Sequence, residues 1–159
     1  MPNTTTVPDV FAVAMQMEEI AKDFYQALAL GCDDARVRSF CLHAARDEAR
    51  HWAAFQQMRS QWRESAGRAP PWGTSTCAEA ADSLAALARK QIVPDPQAVQ
   101  RAAMGGSLAD ALALAIQMEQ DSIRFYDGLV AVLPASADAL SGIAAEERRH
   151  LGTLRLLAV

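Results

Sequence analysis

The segment Asp47-Glu48-Ala49-Arg50-His51 is matched further along the chain by Glu146-Glu147-Arg148-Arg149-His150, and this pair of segments decides the fold. In an α-helix, residues three positions apart lie on the same face, so the glutamate and the histidine of each segment stand side by side. A carboxylate and an imidazole placed in this way can bind one metal ion together. The sequence therefore repeats a metal-ligand pair on two predicted helices.

A second repeat supplies one more carboxylate in each half. Gln16-Met17-Glu18, followed by Phe24-Tyr25, is matched by Gln117-Met118-Glu119, followed by Phe125-Tyr126. Two helical hairpins that each give one Glu and one Glu-x-x-His motif are the arrangement by which four-helix bundles build a dinuclear carboxylate site. The predicted metal ligands are Glu18, Glu48, His51, Glu119, Glu147 and His150.

The composition and the apolar periodicity favour an all-α protein. A chain of 159 residues with 51% hydrophobic and 6% aromatic residues can fill one core. We expect a single domain over residues 1–159, a four-helix bundle of two antiparallel hairpins joined by a long helical crossover. Its main helices are predicted at about 8–30, 34–64, 107–131 and 137–157, and the crossover at 65–106.

Within the crossover we expect two shorter helices. Thr76 and Glu79 have the spacing of a capping box, which predicts a helix that ends near Gln91. Pro94-Asp95-Pro96 then begins another short helix, and Gly105-Gly106 ends it. A crossover that contains helix is compatible with a compact bundle, since two hairpins need one connection that runs the length of the bundle.

The positions of the turns give a geometric check on the predicted site. Glu18 and Glu48 are both about 15 residues from position 33, in the first predicted turn. At about 1.5 Å per residue, each lies on the order of 22 Å along its helix, so the two face each other at the same height. Glu119 and Glu147 are likewise centred on position 133, beside Pro134.

The charge balance excludes several classes of partner. A net charge of -4 and a pI of about 5.3 predict no nucleic-acid binding, and no basic cluster indicates a membrane surface. The first residues lack the charged and apolar regions of a signal peptide, and Cys32, Cys41 and Cys77 form no Cys-x-x-Cys pair. We therefore expect a cytoplasmic protein with free thiols.

Carboxylates in a bundle interior require neutralisation. Burying each charge costs several kcal/mol unless the group is protonated or paired with a cation. Two divalent cations would balance the four predicted carboxylates. Carboxylate oxygens with one imidazole per metal suit iron or manganese, and zinc would also bind. Iron is the preferred assignment, with open coordination positions for an oxygen-derived ligand.

Two further sets of side chains have two interpretations each. Tyr25 and Tyr126 lie two helical turns beyond a predicted ligand, where they either pack in the core or bond a ligand carboxylate through the hydroxyl. The charged residues beside the ligands either support the histidines or form surface ion pairs. These flanking residues are Asp47, Arg50, Glu146 and Arg149.

The six predicted ligands, together with Phe-Tyr after the first Glu of each half, resemble the ferritin-like di-iron domain of the rubrerythrins. The resemblance covers nearly the whole chain. It implies an oxidoreductase with two iron ions that reduces hydrogen peroxide or dioxygen, or that oxidises ferrous iron, with Tyr25 and Tyr126 beside the site. It also implies a homodimer.

The chain departs from the rubrerythrin pattern in two respects. It contains no rubredoxin-like segment with paired Cys-x-x-Cys motifs, so an external electron donor protein is expected. Rubrerythrins also carry a further Glu one turn after the third-helix ligand, where this chain has Ser122. Three alternatives remain open beside the peroxidase or ferroxidase. These are a non-catalytic iron-binding or iron-handling protein, a di-iron hydroxylase of an apolar substrate, and a structural bundle that is metal-free or stabilised by zinc.

Overall fold

A computed structural model describes residues 7–65 and 95–159, and every regular element within these ranges is helical. The all-α prediction is therefore confirmed. The elements in chain order are α1 (Val7–Gly31), α2 (Ala35–Ser65), α3 (Pro96–Gly105), α4 (Leu108–Val132), a 3₁₀ turn (Pro134–Ser136) and α5 (Ala137–Leu157). The assignment of residues 1–159 to a single domain stays a prediction.

The first hairpin turns between α1 and α2 at residues 32–34. A carboxylate oxygen of Asp34 accepts hydrogen bonds from the backbone N–H groups of Arg36 (2.8 Å) and Val37 (3.2 Å), which caps the start of α2. The guanidinium of Arg38 donates to the carbonyl oxygen of Cys32 at 2.8 Å. These bonds satisfy backbone groups at both helix ends and allow the tight reversal of the chain.

The short helix α3 follows Asp95 as the sequence predicts, with Pro96 in its first turn and the Asp95 carboxylate accepting from Gln97 N–H at 3.1 Å. At the start of α4, the Ser107 hydroxyl accepts from Asp110 N–H at 3.1 Å and donates to the Asp110 carboxylate at 2.7 Å. The first bond is the N-cap bond of a capping box, while the Asp110 carboxylate accepts from the Ser107 hydroxyl in place of the Ser107 backbone N–H. The helix predicted to end near Gln91 lies outside the described residues.

The helices pack as two hairpins. α1 packs along α2, α4 packs along α5, and the hairpins meet where α2 contacts α5 and α1 contacts α4. α3 lies against α1 and the start of α4. The predicted bundle of two hairpins with helix in the crossover is therefore present.

The interior of the bundle consists of a polar layer between two apolar clusters. One cluster, at the α1–α2 turn, contains Phe24, Cys41 and Leu112, and the other, at the opposite end, contains Phe11 and Phe55, each with further buried residues. The six predicted ligands lie along the helices between these clusters. The apolar packing on both sides therefore holds the polar layer away from the ends of the bundle.

Within the described ranges, no single helix has the length and hydropathy needed to cross a membrane. Taken together, α4 and the segment from Pro134 to Leu157 have the required length and composition, but they are bent by 118° relative to each other. Buried core helices of soluble proteins can have the same length and composition.

Candidate metal centre

The six predicted ligands meet at the centre of the bundle, and we refer to them as the carboxylate–histidine cluster. Their exposed fractions lie between 1% and 7%, although their side chains are charged or polar. They form two groups in which the ligand atoms all lie within 4.8 Å of one another. One group is Glu18, Glu48, His51 and Glu147, and the other is Glu48, Glu119, Glu147 and His150.

Glu48 and Glu147 belong to both groups, and each comes from the Glu-x-x-His motif of a different hairpin. A carboxylate has two oxygens, so a glutamate at this position can contact two ions at once. Glu18 and Glu119 belong to one group each, Glu18 with His51 and Glu119 with His150. Two overlapping groups of this kind suit the dinuclear carboxylate site that four-helix bundles build from such residues.

Each histidine turns one ring nitrogen toward the carboxylates. Nδ1 of His51 lies 3.0 Å from Glu147, 3.3 Å from Glu48 and 3.6 Å from Glu18. A neutral or protonated imidazole has at most one N–H at this atom, so it can donate to only one of these three carboxylates. The geometry places more acceptors around one nitrogen than hydrogen bonding can satisfy.

The second histidine has the same surroundings. Nδ1 of His150 lies 3.0 Å from Glu147, 3.4 Å from Glu48 and 3.7 Å from Glu119. The two imidazole rings are 6.4 Å apart between their centres. The two motifs therefore present the same atom, Nδ1, to the interior from opposite hairpins.

The outer nitrogen of each histidine contacts a carboxylate of the opposite hairpin. Nε2 of His51 lies 3.0 Å from Glu146, and Nε2 of His150 lies 3.1 Å from Asp47. Arg50 links these two carboxylates, since its guanidinium bonds Asp47 and lies 3.1 Å from Glu146. A partner on the outer nitrogen fixes the orientation of the ring and leaves the inner nitrogen for an ion.

The hydroxyl groups of the two tyrosines also form hydrogen bonds between the hairpins. Tyr25 on α1 donates to Glu119 on α4, and Tyr126 on α4 donates to Glu18 on α1. Both rings are fully buried, so they pack in the core and bond a carboxylate at the same time. Each bond ends on one of the two glutamates that belong to a single group, Glu18 or Glu119.

The buried carboxylates repel one another in the absence of a cation. Burial raises the pKa of Glu18 well above its usual value, and the Glu48 charge adds to this effect. Burial likewise raises the pKa of Glu119, together with the charges of Glu147 and Glu48. Burial also acts to raise the pKa of Glu48, but hydrogen bonding with Glu18 and the histidines outweighs it and lowers that pKa.

The pKa values of the two histidines shift in the direction opposite to that of an ordinary buried imidazole, whose pKa is lowered by burial. Burial acts to lower the pKa of His150, but its contacts with Glu147 and Glu48 raise that pKa to about 11. His51 follows the same pattern, with burial opposed by Glu147, Glu18 and Glu48, and its pKa is raised. The cluster is therefore a concentration of negative charge that attracts cations.

Two atoms of the cluster show that hydrogen bonding alone does not satisfy it. Glu48 Oε1 and Glu147 Oε1 are buried and make no hydrogen bond within the ranges 7–65 and 95–159, although each faces a histidine Nδ1, at 3.4 Å for Glu48 and 3.0 Å for Glu147. A buried carboxylate oxygen without a hydrogen bond is costly, and a bound cation removes that cost. These orphan oxygens belong to the two shared glutamates, so the residues present fit a pair of metal ions.

The structure resembles a crystal structure from Thermotoga maritima that is provisionally described as a ferritin-like diiron-carboxylate protein. The two share a TM-score of 0.72 and 22% sequence identity over 99% of this chain and 97% of the other. No protein-family profile matches the chain, and no curated protein matches it in sequence. The chain therefore has the ferritin-like diiron-carboxylate fold, and its buried cluster is suited to metal.

The sequence identified all six members of the cluster, and their role as ligands stays a prediction. Sequence reasoning did not find the pairing of Asp47 with His150 and of Glu146 with His51 across the hairpins. The available signal was an acidic residue directly before each motif glutamate. Arg149, the repeat equivalent of Arg50, lies 3.5 Å from Glu146 on its own helix, as in a surface ion pair.

Proposed function

We propose that this protein is a di-iron oxidoreductase that reduces hydrogen peroxide or dioxygen with electrons from an external donor protein. The observation that carries the proposal is the sharing of Glu48 and Glu147 between two groups of four ligands. Shared carboxylates hold two ions close enough to act on one small oxidant. The donor set of carboxylates and imidazoles suits iron, and also manganese or zinc.

The proposed reaction with hydrogen peroxide is a two-electron reduction. When bound, two ferrous ions would supply one electron each and would polarise the oxidant as Lewis acids. Peroxide takes up two electrons and two protons, its O–O bond breaks, and two water molecules leave. The external donor then returns two electrons for the next cycle.

The residues of this chain would position the ions and manage protons. Glu48 and Glu147 would bridge, while Tyr126 and Tyr25 hold the terminal carboxylates Glu18 and Glu119 through their hydroxyls. Burial of the cluster limits its contact with water to the cavity at Glu18 and strengthens the electrostatic interactions inside it.

The test is anaerobic loading with ferrous iron followed by stopped-flow mixing with peroxide. We expect rapid reoxidation of about two iron ions per chain, and repeated cycles when a chemical reductant is added. The matched control is the Glu48→Gln, Glu147→Gln double variant, in which loading should fail. Unchanged ferrous protein after mixing would overturn the proposal, and a single cycle without turnover would favour the non-catalytic iron-binding alternative.

The cavity that reaches the cluster bears on the choice of substrate. It has a volume of about 200 Å³ and includes Glu18 in its lining. Pockets for drug-sized ligands occupy roughly 300 to 1,000 Å³. The observation favours a small oxidant over an apolar hydroxylase substrate. A homodimer and a cytoplasmic location belong to the same proposal, and size-exclusion chromatography with light scattering tests the first.

A further inference from the structure

One cavity among the described residues extends from the surface to the carboxylate–histidine cluster. It lies between α1 and α2 and has a volume of about 200 Å³. Its lining consists of Glu18, Glu19, Lys22, Ala49 and Trp52. Glu18 is a member of the cluster, whereas Ala49 is exposed on α2, so the cavity joins the solvent to one terminal carboxylate.

The internal repeat relates the α1–α2 side of the bundle, which we call the first edge, to the α4–α5 side, which we call the second edge. The residue that occupies the position of Ala49 in the second hairpin is Arg148. Its guanidinium lies 2.5 Å from the Asp127 carboxylate, so this long side chain spans from α5 to α4. A methyl group at the first edge therefore corresponds to a tethered arginine at the second.

The other lining positions also differ between the hairpins. Lys22 corresponds to Ile123, and Trp52 corresponds to Leu151, while the cluster residues themselves are repeated. At the second edge, isoleucine and leucine replace the ammonium group of Lys22 and the indole N–H of Trp52, and the positive charge there is that of Arg148, which is bound to Asp127. The chain thus keeps the ligands equivalent and makes the surroundings of the two edges different.

The volume and the lining define the kind of molecule that the cavity accepts. At about 30 Å³ per water, the cavity corresponds to roughly six or seven water molecules. The wall carries the carboxylates of Glu18 and Glu19 beside the ammonium group of Lys22, which also pairs with Asp23 at 3.3 Å, so small polar molecules that donate and accept hydrogen bonds are favoured. Hydrogen peroxide fits this description, azide is a three-atom metal ligand that serves as a probe of similar size, and an organic hydroperoxide with an aromatic ring is several times larger.

We propose that this cavity is the entry site for a small oxidant at the Glu18–His51 end of the cluster, with Ala49 and Trp52 setting the size limit. The inference rests on the proposed function for the identity of the oxidant. It also makes the two ends of the cluster inequivalent, since incoming molecules meet the group of Glu18 before the group of Glu119.

The test compares Ala49→Leu, which fills the mouth of the cavity, with Ala53→Leu, which adds the same side chain at an exposed position of α2 outside the lining. Both variants are loaded with cobalt and titrated with azide by visible absorption. We expect at least a tenfold weaker azide affinity for Ala49→Leu and no change for Ala53→Leu. Equal affinities in the two variants overturn the proposal.

A second variant gives a change of the opposite sign. Trp52→Ala enlarges the cavity. For the ferrous protein, the ratio of the rate with cumene hydroperoxide to the rate with hydrogen peroxide should therefore be at least tenfold higher in this variant than in the wild type. An unchanged ratio overturns the size limit. Failure of the proposed function is distinguishable, because azide binding to the cobalt form would still depend on Ala49 even if peroxide did not oxidise the ferrous form.

Discussion

Nε2 of His150 on α5 lies 3.1 Å from the carboxylate of Asp47 on α2, so the histidine of one hairpin is held by the other hairpin. The pair of His51 and Glu146 repeats this relationship at 3.0 Å. A carboxylate accepts hydrogen bonds, so the Nε2 atom is the donor and Nδ1 is the atom turned to the cluster. The orientation of each ring therefore depends on correct association of the two hairpins.

Removing Asp47 should weaken metal binding at the His150 end of the cluster. Loss of a carboxylate that orients a metal-binding histidine typically lowers affinity by roughly 10-fold to 100-fold. We expect this loss for Asp47→Ala in a titration of the metal-free protein with cobalt. Asp33→Ala, which removes the same charge at an exposed position in the α1–α2 turn, should bind as the wild type does. Equal affinity in both variants would rule out a role for Asp47.

A shared glutamate and a terminal glutamate should have different effects on metal content. Glu48 takes part in both groups of four, and Glu18 takes part in one. Glu48→Gln should therefore lose both ions, whereas Glu18→Gln should retain about one ion per chain in the group of Glu119. Elemental analysis after dialysis against a fixed metal concentration measures this. The same metal content in both variants would contradict the division into two groups.

Metal removal should destabilise the fold. The four carboxylates of the cluster are buried together, and cations remove their mutual repulsion. At a free metal concentration of about 1,000 Kd, binding stabilises the native state by about 4 kcal/mol. For a chain of this size, that corresponds to a Tm shift of roughly 8 to 16 °C.

Differential scanning calorimetry with and without a chelator measures this shift. In the Glu48→Gln, Glu147→Gln variant, the chelator should leave the Tm nearly unchanged. A wild-type Tm that does not respond to the chelator would mean that the cluster is stable as a network of hydrogen bonds alone.

The thiol of Cys41 should be unreactive in the folded protein. Burial raises the pKa of Cys41 to about 12, with a further contribution from Cys32. A raised pKa keeps the thiol protonated, so at pH 8 only about one molecule in ten thousand carries the nucleophilic thiolate. Labelling with iodoacetamide should be at least a hundred times slower at Cys41 in the native protein than in urea, as read by peptide mass spectrometry. Comparable rates would show that the α1–α2 end of the core opens readily.

Much of this fold could be predicted because the chain contains two copies of one pattern. Glu48 and His51 occupy positions that an apolar stripe would otherwise fill, so periodicity alone places them inside. The equal distances of Glu18 and Glu48 from their turn place them at one height. Both inferences depend only on helix geometry within a single hairpin.

The contacts between hairpins could not be predicted in the same way. Whether Asp47 meets His51 or His150 depends on how α2 packs against α5, and helical periodicity contains no information on that packing. The same limit applies to the cavity beside Trp52, since its volume depends on side chains of two helices. Sequence patterns fix which residues face inward, and tertiary packing decides which of them touch.

The two tyrosines provide a test that separates a packing role from a role in the reaction. Tyr126→Phe keeps the ring in the core and removes only the hydroxyl that bonds Glu18, and Tyr25→Phe does the same at Glu119. If the rings serve packing alone, both variants should react with peroxide as the wild type does. If the hydroxyls hold the terminal carboxylates, reoxidation of the ferrous protein should slow by roughly 10-fold to 100-fold.

The two variants should also differ from each other. The entry cavity reaches Glu18, so the carboxylate that Tyr126 holds is the one that an incoming oxidant meets first. Tyr126→Phe should therefore slow the reaction with peroxide more than Tyr25→Phe, at equal iron content in both. Stopped-flow rates measured over a series of peroxide concentrations decide the question. A larger effect of Tyr25→Phe would place the entry of the oxidant at the Glu119 end, against the cavity between α1 and α2.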